Sequence, residues 1–100
     1  MKILDINIPT NLKIPKTEYV DNTKDLYISL VERYEPFDRG FGFGFFSVQI
    51  ECDDEEMAQA IVEEIKNDFQ ISLLDTQYDE NVNSGVYGIY DEEDFNEEED

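Results

Sequence analysis

The sequence predicts an α+β protein: a mostly antiparallel sheet of four to five strands with one amphipathic helix, about 54–69, packed on one face. Three observations point there. Short apolar/polar alternations of period two recur along the chain. One stretch of helical periodicity, opened by capping residues, interrupts them. Segments rich in Gly, Pro, Asn and Ser separate the pieces.

Taken in order, Ile3–Ile8 sets Leu4, Ile6 and Ile8 against Ile3, Asp5 and Asn7 and reads as a strand that Pro9 ends. Residues 9–25 hold Pro9, Pro15 and scattered polar residues and read as a loop. Leu26, Ile28 and Leu30 alternate with Tyr27, Ser29, Val31 and Arg33, which suits a half-buried strand. The rival is an amphipathic helix from near Asp21, because Leu26, Leu30 and Tyr34 also share a helical face; the Tyr, Ile and Val content favours the strand. Pro36-Phe37-Asp38-Arg39-Gly40 is turn chemistry. Phe45–Glu51 reads as a strand that turns Phe46, Val48, Ile50 and Cys52 to one side.

The helix begins with Asp53 as N-cap and Glu56 three residues later, a capping-box pattern. Met57, Ile61, Ile65 and Phe69 then recur every four residues, with Ala58 and Val62 beside them. A strand over Ile71–Tyr78, a turn at Asn83-Ser84-Gly85 and a final strand over Val86–Tyr90 complete the order. The expected organisation is one compact domain, 1–90, followed by a flexible acidic tail, 91–100.

Charge is the unusual property: the net value is −19 over 100 residues. Residues 1–50 hold six Lys/Arg and seven Asp/Glu, whereas residues 51–100 hold Lys66 alone against nineteen acids. Such self-repulsion opposes compaction, repels nucleic acids and anionic membranes, and draws in basic surfaces. No stretch approaches the ~20 apolar residues of a membrane span. Met1-Lys2-Ile3-Leu4-Asp5 places an acid where a signal peptide needs an apolar run, so a cytoplasmic setting is expected, that of the host cell if the chain is phage-encoded.

Catalytic chemistry finds little support. Histidine is absent, which removes the commonest general base and the commonest metal ligand. Cys52, the one cysteine, has inward strand parity and reads as a buried thiol. A Gly-x-Gly pattern lies within Phe41-Gly42-Phe43-Gly44-Phe45-Phe46, but the third Gly and following helix of a phosphate loop are missing. Its similarity to RNA-stacking runs conflicts with the surrounding charge. It reads best as a glycine-kinked hairpin whose phenylalanines fill the core, seal a homodimer or touch a protein partner. Asp79-x-Asn81-x-Asn83 begins like a calcium loop, yet Ser84 and Tyr90 stand where Gly and Glu are required. A non-enzymatic protein without metal or cofactor is the expectation.

The acids themselves are therefore the candidate site. Glu55, Glu56, Glu63, Glu64 and Asp68 lie off the apolar stripe, one carboxylate per ~4 Å of helix at ~1.5 Å rise per residue. One strand of DNA presents a phosphate every ~3.4 Å. Asp53, Asp54, Asp75, Asp79 and Glu80 extend the array, as do Asp91, Glu92, Glu93 and Asp94 at the head of the tail. Tyr78, Tyr87, Tyr90 and Phe95 are candidate aromatic anchors beside it.

A chain of this length with no histidine, a short α+β core and the quartets Asp53-Asp54-Glu55-Glu56 and Asp91-Glu92-Glu93-Asp94 resembles, in charge pattern, the acidic DNA-mimic inhibitors of bacteriophages and mobile elements. Anti-CRISPR and anti-restriction proteins are among these. The resemblance implies an inhibitor that occupies the basic DNA- or RNA-binding cleft of a host protein, such as a CRISPR nuclease or restriction enzyme. The alternative is an immunity protein or antitoxin that neutralises one cognate nuclease. A third reading is an acidic chaperone of basic proteins that acts through its tail.

Overall fold

A computed structural model describes residues 1–76 and 84–95, with side chains up to Glu93. It is an α+β structure with strands β1 (Lys2–Pro9), β2 (Asp38–Phe41), β3 (Phe45–Cys52), β4 (Leu73–Asp75) and β5 (Gly85–Asp91). Helix α1 (Thr23–Tyr34) precedes β2, α2 (Glu55–Phe69) follows β3, and a single turn, α3 (Glu92–Phe95), follows β5. The strands form one sheet in the order β2-β3-β1-β5-β4, antiparallel except for the parallel pair β4–β5. Among the described residues no helix is long and apolar enough to cross a membrane.

β1 is central, and its alternation fixes the rest. Leu4 pairs with Ile50, Ile6 with Val48 and Ile8 with Phe46 on one side, and Ile6 with Tyr87 on the other. Paired residues share a face of the sheet, so these side chains form an apolar floor. Onto it α2 lays Ala58, Ile61, Val62, Ile65 and Phe69, and α1 lays Leu26 and Leu30. The opposite face is polar at its centre, where Asp5 accepts hydrogen bonds from Gln49 Nε2 at 2.5 Å and Asn7 Nδ2 at 3.2 Å. Tyr90 folds over Gly88 there, so closely that a Cβ on Gly88 would lie 2.6 Å from its hydroxyl.

The segment expected as a strand over 26–33 is helical. Asn22 caps it by accepting the Asp25 N–H at 2.8 Å, and the 3.6-residue period buries Leu26 and Leu30 while leaving Ile28 45 % exposed. The sheet already covers one face of that apolar pair, so tertiary burial outweighs the β propensity of Tyr, Ile and Val. Residues 36–40 are also not one turn, since Asp38–Phe41 is strand and the chain reverses at Gly42–Gly44, with Gly44 at φ +91°. At α2 the cap is Asp54, one residue later than expected, accepting the Met57 N–H at 2.8 Å. Met57 lies at the margin of the apolar stripe, because a four-residue repeat drifts from the 3.6-residue period, and is exposed, its sulfur accepting the Asp53 N–H. Of the strand expected over 71–78, the described residues form β4 at Leu73–Asp75, and Gln77 and Tyr78 lie outside the described residues.

Both helices end on a left-handed residue that is not glycine, Glu35 at φ 47° and Gln70 at φ 54°. Asn would occupy such a position more comfortably, and Gly more comfortably still.

The helical reading of 23–34 separates two leucine-sized residues that a strand would treat alike. Leu30→Ala is expected to lose about 2–5 kcal/mol in urea unfolding, and Ile28→Ala no more than about 0.5 kcal/mol. Equal losses would restore the strand.

Candidate functional site

Lys2 is the first residue of β1, and it has two cross-strand partners, Cys52 on one side and Asp91 on the other. The end of β3 and the end of β5 therefore meet at one edge of the fold, about 10 Å apart across β1. Each is followed at once by an acidic run. Asp53-Asp54-Glu55-Glu56 turns from β3 into the first turn of α2, and Glu92-Glu93 enters α3, whose first N–H donates to the Met1 carbonyl at 3.3 Å. Glu51 adds a further carboxylate from the polar face of β3. Glu51, Asp53, Asp54, Glu55, Glu56, Asp91, Glu92 and Glu93 are all exposed, and together they form an acidic pole around the chain start.

Two of these acids have local duties. Asp54 is the cap just described, and the positive end of α2 favours carboxylates in its first turn. Asp91 accepts from Lys2 Nζ at 2.5 Å, and that hydrogen bond and charge hold its carboxyl below the usual aspartate range. Burial, with Asp53 and Asp54 adding to it, pushes the Cys52 thiol up, so the buried thiol stays neutral.

The remaining acids of α2 behave differently. Arg33, at the end of α1, donates to Asp68 at 2.6 Å and lies 3.6 Å from Glu64. Its guanidinium also stacks against Tyr19 and Phe69, 5.2 and 5.0 Å from the ring centres. The Tyr34 hydroxyl donates to Glu64; its burial and that bond move its pKa well above the usual phenol range. Glu63 faces Lys66 at 3.5 Å. The expected line of five helical carboxylates is thus divided: Glu55 and Glu56 join the pole, while Glu64 and Asp68 help to clamp α2 to α1. That clamp was hidden from the sequence because it needs α1 to be a helix.

Asp75 is exposed on β4, opposite Tyr87 in the parallel ladder. Asp79 and Glu80, and with them the start of the calcium-like loop, lie outside the described residues, and so does the Asp94 side chain. Of the expected aromatic anchors, Tyr87 is buried in the core and Tyr90 is half-buried over Gly88; the side chain of Phe95 is not among those described. Exposed aromatics gather instead at the hairpin, where Phe37, Phe41, Phe43 and Phe45 stand out. Among the described residues no cluster of His, Cys, Asp and Glu is arranged to hold a metal. The contributions of Glu51 and Lys2 were missed, although strand parity alone turns Glu51 outward next to the quartet.

Comparison with protein-family models, with curated proteins and with solved structures gave no match.

The Lys2–Asp91 pair has a measurable pH signature. A depressed folded pKa means that the pair's contribution is present above the ordinary aspartate range and is lost as pH falls through the lowered value. In a carboxyl-carbon NMR titration Asp91 is expected to titrate below free aspartate, and Lys2→Met is expected to move it back up. An Asp91 value unchanged by that substitution would place the cause elsewhere.

Proposed function

We propose that this protein is an acidic, non-catalytic inhibitor whose pole occupies the cationic nucleic-acid-binding cleft of a partner protein, as a charge mimic of DNA or RNA. The observation that carries the reading is the convergence of two acidic segments, far apart in sequence, on one exposed end of the sheet. Scattered acids serve solubility, for which a net charge of magnitude ~2–8 suffices. Concentrating acids on one face instead raises the folded-state repulsion, a cost offset when a basic surface docks there.

The chemistry suits such a cleft. Carboxylates accept paired hydrogen bonds from arginine as phosphates do. Fixed by strand ends and a helix start, they lose little conformational freedom on binding. The pole is also two-sided, with Glu51 and the α2 quartet on one flank of Lys2 and Asp91–Glu93 on the other, so cations on both walls of a cleft have partners. A host cytoplasmic setting follows from that target.

Competition tests the idea directly. A CRISPR nuclease and a restriction enzyme are each loaded with fluorescent duplex DNA, and displacement by the protein is followed by anisotropy. Joint replacement of Asp53, Glu55 and Glu56 by their amides is expected to weaken displacement at least about tenfold, and raising salt from about 50 to about 200 mM to weaken it steeply. Glu64→Gln with Asp68→Asn should act on stability more than on displacement. Displacement indifferent to both salt and the pole would end the mimic reading, while tight binding to one nuclease toxin without competition against DNA would favour an immunity protein.

A further inference from the structure

β2 is the outer strand of the sheet, and no described strand or helix pairs with its free edge. The Gly42 N–H donates to the Phe45 carbonyl at 3.1 Å. By the alternation of an antiparallel ladder, Asp38 and Gly40 also bond inward to β3, so Arg39 and Phe41 direct their N–H and C=O groups outward. The Arg39 N–H is met there by its neighbour's carboxylate, Asp38 Oδ1 at 2.9 Å. Among the described residues that local bond is the one screen on an edge whose four residues are all exposed.

We infer that this edge is a homodimer seam, in which two copies pair their β2 strands antiparallel about a two-fold axis at Gly40. Three properties of the strand select a second copy as its occupant. The outward groups of Arg39 and Phe41 bond each other across the axis in only this register, which leaves Gly40 facing Gly40 of the second copy at the close, non-bonded spacing of about 4.5 Å. Apart from its own chain neighbours, no described atom lies within 4 Å of where a Gly40 Cβ would sit, which leaves room for a second backbone to approach. Arg39, which makes no ion pair among the described residues, then lies beside Phe41 of the second copy and its electron-rich ring. The neighbouring registers place Arg39 against itself or leave it beyond the strand.

Charge makes the same choice. Residues 37–49 carry Asp38 and Arg39 alone and so sum to zero, in a chain of −19. Gly40 aligns through Ser47 with Asn7, five residues along β1 from Lys2 and two strands across, which places the acidic pole roughly 19 Å from the axis. A two-fold axis sends the two poles to opposite flanks, roughly 40 Å apart, well beyond the ~8 Å screening length at physiological salt. A basic partner, by contrast, is drawn first to the acids, and this neutral strand lies far from them. The shallow cavity of about 260 Å³ lined by Gly40, Phe41, Gly42, Phe45 and Ser47 opens beside the seam and narrows when it closes.

The seam is small, so the dimer is concentration-dependent, and because like-charged chains approach, added salt strengthens it. Sedimentation equilibrium from about 10 µM to about 1 mM protein, at about 50 and about 500 mM salt, is expected to show a dimer that grows with both. Gly40→Glu sets two carboxylates face to face at the axis and is expected to give a monomer with an unchanged circular-dichroism spectrum. Asp38→Ala removes the competing acceptor and is expected to tighten the dimer. In a Cys52→Ala background, Gly40→Cys should cross-link on mild oxidation and Ser47→Cys should not. A monomer under every condition, a dimer indifferent to Gly40→Glu, or cross-linking at Ser47→Cys as fast as at Gly40→Cys would each overturn the proposal. Gly40→Glu leaves the pole intact, so displacement of DNA by that variant reports on the inhibitor reading separately.

Discussion

The register of β1 is the constraint on which the rest of the molecule depends. Leu4, Ile6 and Ile8 must face the helices, because a slip of one residue would turn them to water and bring Asp5 and Asn7 into the core. Once they are seated, both neighbours are placed as well: Ile50, Val48 and Phe46 on one side and Tyr87 on the other. The same ladder then dictates that Cys52 and Asp91 end opposite Lys2. The acidic pole is therefore a consequence of core packing, although no core residue belongs to it.

Two of the few cations sit among the acids. Lys2 stands between the two halves of the pole, and Arg33 stands between two carboxylates of α2 while resting on Tyr19 and Phe69. Exposed ion pairs contribute modestly, typically below about 1 kcal/mol. Arg33 does more than that class suggests, since its guanidinium also covers aromatic surface at the junction of the two helices. Glu64 and Asp68 are in this sense structural acids, whereas Glu55 and Glu56, which meet no cation among the described residues, leave their charge available to a partner.

Much of the fold was legible from periodicity. β1, β3 and α2 are strongly patterned, and each forms close to where its pattern places it, because burying one face dictates a period that no other element can satisfy; β5 follows the turn residues that precede it. α1 was not legible for the converse reason. Leu26 and Leu30 fit both periods, Ile28 decides between them only once its exposure is known, and the helix closes on Glu35 without the glycine that usually marks a helix end. The cost of that misreading extended to the site. A strand over 26–33 gives Arg33 no route to α2 and leaves Glu64 and Asp68 among the free carboxylates. The convergence of the two quartets was invisible for a different reason: it depends on which strands neighbour β1, and local patterning carries no information about strand order.

That order also separates two kinds of surface along one sheet. Where β1 begins, strand ends deliver acids; near where it finishes, the β2–β3 hairpin delivers phenylalanines and glycines with almost no charge. Electrostatic and apolar contacts respond oppositely to salt, the first weakened by screening and the second relieved of repulsion. A protein that placed both on one face would have each oppose the other. Here they are held a strand length apart, so a basic partner can approach the acidic end while the neutral hairpin is left to contacts that charge would otherwise forbid. The hydrophobic alternation of β1 thus sets the spacing between the two surfaces as well as the core beneath them.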